Sequence, residues 1–326
     1  MRLAGAAPTE WLRALWHTLG APLLAVLLFV AAWSELAPRV ETSLGALPGP
    51  AAVWREAKSL VAEHRSERDR RAAFHEQQQE RNARLRAMDA SAEMRLPRYT
   101  GRPTYFDRIA TSLKTVFTGF ALAALVAVPL GILAGLSRTI NAALSPLVQV
   151  FRTLSPLAWL PLVTLVVSAL QVSPEPLRAR SFVISAITVT LCSLWPALVN
   201  TALGVASIDK DLMNVARVLR LGWSARVRKI VLPSALPLIF TGLRLSLGVG
   251  WMVLIAAEVQ TQHPGLGKFL WDEFQTGSSS SLARMLVAVL TIGVIGFLLD
   301  RVMLALQGAF THRPARSGGG AWRSWS

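Results

Sequence analysis

The sequence predicts an all-α integral membrane protein, and three observations carry that prediction. Of the 326 residues, 52% are apolar and only 16% are charged, with a mean hydropathy of +0.43, outside the range of an ordinary soluble domain. Apolar windows recur that approach the roughly 20 residues a helix needs to cross a hydrocarbon core about 30 Å thick. One cysteine, Cys192, stands inside such a window, which excludes a disulfide framework; no Cys/His cluster has metal-ligand spacing.

Six windows are expected as spans, near Leu19–Leu36, Leu113–Leu136, Leu154–Leu170, Phe182–Gly204, Leu236–Ala257 and Leu282–Leu306. The third is the weakest, being interrupted by Pro156 and Pro161. The first could instead be a cleaved leader, since Pro22–Trp33 has the length of a leader's apolar region. No clear A-x-A site precedes the following loop, so the span is expected to be retained.

Orientation follows from basic residues in short loops, which stay cytoplasmic. The 205–233 loop carries Lys210, Arg217, Arg220, Arg226, Arg228 and Lys229 against Asp209 and Asp211. It is therefore expected in the cytoplasm, with both termini on the same side. The tail's Arg313, Arg316 and Arg323 agree. Pro38–Ala110 then becomes external, as loops beyond about 60 residues translocate largely regardless of charge. In that segment Ala51 to about Met94 lacks Gly and Pro and is dense in Glu, Arg, Gln and Ala. It is expected to be a long helix or helical hairpin, either a solvated spacer or a dock for a partner facing Trp54 and Phe74.

The expected organisation is a cytoplasmic N-terminus and first span over 1–37, an external charged helical segment over 38–110, a five-helix core over 111–307 with its loop at 205–233, and a disordered tail over 308–326. The net charge of +15 suits lipid-surface electrostatics. No nucleic-acid motif accompanies it.

No embedded hydrolase is indicated, since H-E-x-x-H, G-x-S-x-G and paired carboxylates within one span are all missing. Gly265–Lys268 is not a phosphate loop: the earlier glycine position holds Gln262 and Phe269 follows the lysine. The chain is read as no enzyme, with no cofactor and no metal. A single charge deep in an apolar window, Arg244, could line an anion pathway or hold helix packing. Lys114, Arg152 and Glu258 lie nearer span ends and are read as interfacial. Trp159, Trp195 and Trp251 suit aromatic belts or helix contacts, Gly242, Gly248 and Gly250 close helix approach, and His263 an exposed loop.

Asn214–Pro233, NVARVLRLGWSARVRKIVLP, lies between two apolar runs. Val215, Val218, Leu219 and Leu221 recur at helical spacing, Gly222 breaks the pattern, and Pro233 suits the first turn of a new helix. The stretch resembles the cytoplasmic coupling motif of binding-protein-dependent ABC transporter permeases: E-A-A, three residues, G, nine residues, then I-x-L-P. Ala216, Ile230, Leu232 and Pro233 match at the right spacing. Asn214 replaces the acid, Val215 the first alanine and Arg220 the glycine, with Gly222 two residues later. SPLAWLPLVTLVVSAL and LPSALPLIFTGLRLSLGVGWMVLIAAE look like the nitrate, sulfonate and taurine branch of that family. YTGRPTYFDRIATSLKTV, ITVTLCSLWPALVNTALGVASIDKDLMNVARVLRL and GLGKFLWDEFQ most resemble nitrate permeases, whose transporters also carry nitrite or cyanate.

The resemblance covers about Thr111–Leu306 and implies a six-helix, type I, MetI-like importer permease in the bacterial cytoplasmic (inner) membrane. It implies a homodimer of permeases, two ATPase subunits that supply hydrolysis, and a periplasmic or external solute-binding protein. Asn214, Val215, Ala216 and the turn through Gly222 would enter the ATPase groove, while Ile230, Leu232 and Pro233 would anchor the helix that moves. Sulfonate or taurine is the alternative cargo. An ATP-independent anion channel or carrier, or a membrane scaffold, are the rival classes, and the coupling motif disfavours both.

Overall fold

The computed structural model describes residues 16, 20–42, 45–88, 99–170 and 177–311. The end of the expected long helix, 89–94, and the expected disordered tail from 312 onward lie outside them. The helices are α1 (Ala21–Leu36), α2 (Pro50–Met88), α3 (Tyr105–Leu136), α4 (Arg138–Arg152), α5 (Pro156–Leu170), α6 (Leu177–Ala206), α7 (Lys210–Val218), α8 (Trp223–Arg226), α9 (Leu232–Thr261), α10 (Leu266–Thr276) and α11 (Ser279–Thr311). A two-residue antiparallel pairing joins Glu41 to Ala46 and Thr42 to Gly45. Two compact units are formed, residues 1–110 with 264–292, and residues 111–263 with 293–326.

Among the described residues, five helices are long and apolar enough to cross a membrane. A sixth crossing exists if α4 and α5 count as one, although they meet at 101°. α5 lies where the third span is expected but has only 15 residues, short of the roughly 20 a straight crossing needs, so the sixth crossing is a bent one. The break falls at 153–155 because a residue preceding proline is pushed out of the α region and Pro156 has no N–H to donate. Ser155 Oγ accepts the Leu157 N–H at 3.3 Å and caps the new helix. α4, absent from the expected organisation, is amphipathic; only Val148 in it is buried, so it never registers as an apolar window.

In the first unit α1 is apolar all round with none of its residues buried, as a lipid-facing helix should be. α2 is a single helix of 39 residues, not a hairpin, about 58 Å long. Val53 and Leu60 on it are buried, and several of its other contacts are polar. His64 Nδ1 lies 2.8 Å from Thr104 Oγ1, Tyr99 donates to Glu67 at 2.7 Å, and Arg284 meets Glu56 at 3.3 Å, Glu63, and Glu273 at 3.7 Å. Phe74 is half-buried and packs on Tyr99, ring centroids 5.2 Å apart; Trp54 stays exposed. α10 joins this unit through Asp272, which takes Arg108 at 3.3 Å and Lys268 at 2.7 Å.

The second unit is a helical core with three apolar clusters. Ile132, Val205, Val231, Ala235 and Ile239 form one. Leu160, Val163, Val167, Ile184 and Ala257 form another, and Ala127, Val148, Ala197 and Leu198 the third. Side-chain-free positions set the helix spacing: a Cβ on Gly242 would lie 2.6 Å from Asn200 Cβ, and one on Gly250 2.5 Å from Ser193 Oγ. The expectation fails for Gly248, where a Cβ would meet nothing within 4 Å. Gly131 and Gly135 make the same kind of approach from α3 to α6. Ser246 of α9 inserts its hydroxyl into the α6 ladder just past Pro196, accepting the Ala197 N–H at 3.1 Å and donating to the Ser193 carbonyl.

Candidate functional site

α7 begins where Asp209 accepts the Asp211 N–H at 2.9 Å, an N-cap that satisfies one orphan donor of the first turn. Its helical spacing then divides the side chains into two sets. Met213 packs against the Ile132/Val231/Ala235 cluster, and Ala216 is 1% exposed. Leu212, Val215, Val218 and Leu219 are exposed, as is Trp223 at the start of α8, with Val218 at 82%. Asn214 lies on the exposed side and receives a hydrogen bond from Arg217. An apolar stripe is thus left uncovered on a short helix otherwise anchored in the core, as a protein-docking surface would be.

The turn that ends α7 differs from the expected one. Gly222, read as the breaker, has φ −59° and ψ 161°, available to any residue. The left-handed residue is Arg220, at φ 47°. Leu221 N–H returns to the Ala216 carbonyl at 3.0 Å and Arg220 N–H to the Arg217 carbonyl at 3.0 Å, the two bonds of a Schellman cap with Arg220 at the position glycine favours. Arg220 is also the residue aligned with the motif's glycine, so the turn geometry persists without it. Arg220→Gly is therefore expected to raise stability by about 1 kcal/mol, by removing the left-handed penalty of a side chain. Gly222→Ala is expected to leave stability within about 0.5 kcal/mol, since no atom lies within 4 Å of the added carbon. Thermal unfolding in detergent reads both, and an Arg220→Gly variant that melts below the parent would refute the assignment.

Beyond the turn, α8 runs without a break into α9, giving one apolar helix over Trp223–Thr261. Pro233 does stand in the first turn of α9, but the chain is already helical ten positions earlier, which corrects the reading of a fresh helix start. Proline 233 has no N–H to return to Lys229, and its ring would crowd that carbonyl. The π turn at Val227–Val231, where Leu232 N–H reaches the Val227 carbonyl, widens the helix immediately before it. Ile230 and Leu232 are half-buried and Pro233 exposed; Leu232 packs on the same apolar cluster as Met213.

The family model for the "binding-protein-dependent transport system inner membrane component" matches residues 127–312, spanning α7, its turn and the helices that hold them. The chain belongs to this family. It is 44% identical over 203 residues, covering 62% of this chain and 68% of the relative, to the bicarbonate transport system permease protein CmpB of Synechococcus elongatus. To the nitrate import permease protein NrtB of Synechocystis it is 40% identical, covering 61% and 68%. To NrtB of Leptolyngbya laminosa it is 39% identical, covering 64% and 70%. The methionine ABC transporter MetNI in inward-facing conformations superposes with a TM-score of 0.55 at 17% identity, covering 64% of this chain and 96% of that one, which places the fold among MetI-like permeases. The chain is thus a membrane permease subunit of an ABC importer and not an enzyme, and works with a separate ATPase and a substrate-binding protein.

Within this permease Arg244 is paired. Its Nε donates to Asp300 Oδ1 and its Nη2 to Oδ2 at 3.0 Å, a forked ion pair between α9 and α11. Glu258, expected at a solvated span end, is fully buried and accepts the Ser112 hydroxyl at 2.7 Å. His263, expected to be exposed, is 3% exposed. Its Nε2 lies 3.1 Å from Thr115 Oγ1 and its Nδ1 3.2 Å from Ser181 Oγ. Burial pushes its imidazole down to about 4, so it is neutral at physiological pH, one nitrogen donating and the other accepting. Lys114 is exposed with its ammonium 5.5 Å from the Phe182 ring centre. Trp195 stacks on Phe151 at 5.5 Å, and Phe151 also meets Trp159 at 5.7 Å, so these indoles serve helix contacts.

Two cavities flank α4. One of about 670 Å³ opens beside the ends of α3 and α6 nearest α7 and is lined by Arg138, Asn141, Ser145, Gln149 and Arg152 among apolar residues. The other, about 330 Å³, is lined by Arg152, Cys192, Trp195, Asn200 and Val249 among others. Arg152 borders both. Sequence reasoning assigned Arg152 to an interface and passed over Arg138, because without α4 nothing brings the two arginines to one cavity wall.

Proposed function

We propose that the chain is the translocation subunit of an ATP-driven importer for nitrate, with nitrite or cyanate as further cargo, and that α7 couples it to the ATPase. Asn214, Val215, Val218 and Leu219 enter the ATPase groove, Ala216 and the Arg220–Gly222 turn set the angle of α7, and Ile230, Leu232 and Pro233 transmit its movement to α9. ATP-driven closure then tilts the spans between inward and outward openings. Two permease copies and two ATPase subunits complete the transporter in the bacterial inner membrane. The 205–233 loop and both termini are cytoplasmic, and 38–110 faces the binding protein's side.

The observation that carries the coupling role is the uncovered apolar stripe of α7 on a helix otherwise rooted in the core. The cargo reading rests on the segments resembling nitrate permeases and on the NrtB relatives. A second reading, bicarbonate, is favoured by the 44% identity to CmpB; both cargoes are flat monovalent oxyanions. Reconstitution with the cognate ATPase and binding protein tests the choice, with labelled nitrate challenged by bicarbonate, taurine and cyanate. Saturable nitrate uptake that disappears on mutating the ATPase phosphate-loop lysine is expected. ATP-dependent bicarbonate or taurine uptake without nitrate flux would replace the cargo and keep the class.

A further inference from the structure

We propose that the cavities flanking α4 form the anion's route on the α7 side of this permease, with Arg152 as the residue that holds the oxyanion and Arg138 as the entry or exit cation. The inference rests on the cargo being a small oxyanion, as argued above.

Arg138 and Arg152 stand at opposite ends of α4, about 21 Å apart along its axis, and the larger cavity runs between them. Its polar lining, Asn141, Ser145 and Gln149, lies on the same helix. Spacings of three to four residues put these side chains on one face. Gln149 donates to Ser145 Oγ at 3.0 Å, which leaves the second Gln149 amide N–H and the Ser145 hydroxyl proton as donors for water or cargo.

Position makes Arg152 unusual: it is exposed and borders both cavities. The smaller cavity that it borders is walled by Cys192 and Val249, each near the midpoint of its 30-residue helix. Among the described residues Arg152 has no ion-pair or hydrogen-bond partner, whereas Arg244 has Asp300 and Arg284 its glutamates. An exposed, unpaired guanidinium on the wall of both cavities is open to water or to an anion inside them. A second orphan lines the same cavity: the buried indole N–H of Trp195 has no acceptor among the described residues. A planar guanidinium offers a flat oxyanion two parallel N–H bonds. One such site, with a second cation about 20 Å away, meets the need of a conducting path for binding weak enough to leave.

The test uses the full transporter in proteoliposomes with its ATPase and binding protein, comparing Arg152→Gln, Arg152→Lys and Arg138→Gln. Arg152→Gln is expected to lower nitrate or bicarbonate uptake at least about tenfold, the equivalent of one charge-assisted hydrogen bond, with binding-protein-stimulated ATP hydrolysis within about twofold of the parent. Arg152→Lys should recover part of the uptake, and Arg138→Gln should lower it severalfold. If Arg152→Gln does not assemble, Arg138→Gln, at the other end of α4, carries the test. Parental uptake rates in these variants overturn the proposal. So does a defect confined to vesicles containing anionic lipid, which would make the arginines a headgroup site. A parent transporter that moves neither anion would instead overturn the cargo reading itself.

Discussion

Val218→Asp or Leu219→Asp is expected to abolish ATP-driven uptake while leaving the permease folded. Val218 is 82% and Leu219 63% exposed, so in the isolated chain a carboxylate there is solvated and stability stays within about 0.5 kcal/mol. In the proposed transporter the same side chains would form the apolar contact with the ATPase, and truncating an interface anchor costs about 2 kcal/mol or more, roughly 30-fold in affinity. An aspartate adds the burial of an unpaired charge. Co-purification of the ATPase subunit and binding-protein-stimulated hydrolysis should both fall at least about 30-fold, with an unchanged melting temperature in detergent. Normal ATPase association in Leu219→Asp would show that α7 docks by another face. Ala216→Arg makes the contrast: Ala216 is buried, so a large cation there displaces α7 from the core, and activity falls together with stability.

How far the sequence reached follows the range of the interactions. α7 and the apolar spans were legible because a helix period and an apolar run are local signals. The inner face of α2 was not. Glu56, Glu63, His64, Glu67 and Phe74 meet partners that are distant in sequence. A polar stripe of that kind reads as solvated until its partners are known. α4 was missed for a related reason, since its apolar residues occupy one face and its mean hydropathy stays low. The Arg220 turn went to Gly222 because glycine is the usual left-handed residue, and only the backbone shows an arginine in that conformation. Glu258 and His263 were placed at surfaces by their chemistry. Hydroxyls at Ser112, Thr115 and Ser181, 146, 148 and 82 positions away, make their burial tolerable.

Arg244 shows both the strength and the reach of such reading. Its depth in the fifth span marked it as unusual, while its partner, 56 positions away, was invisible. The forked pair predicts a specific mutational pattern. Arg244→Gln leaves Asp300 with Arg301 alone, 3.9 Å away, Asp300→Asn leaves Arg244 without its carboxylate, and each should lower the unfolding temperature. Arg244→Gln combined with Asp300→Asn removes both charges and should recover most of that loss, an interaction energy that a double-mutant cycle reads directly. Transport divides the remaining roles. Asp300 cancels most of the positive potential that Arg244 would offer a passing anion, so the double variant is expected to keep parental anion affinity and uptake. A double variant that is stable yet takes up the anion at least about tenfold more slowly would put Arg244 in the pathway, because only a residue that meets the cargo loses transport without losing the fold.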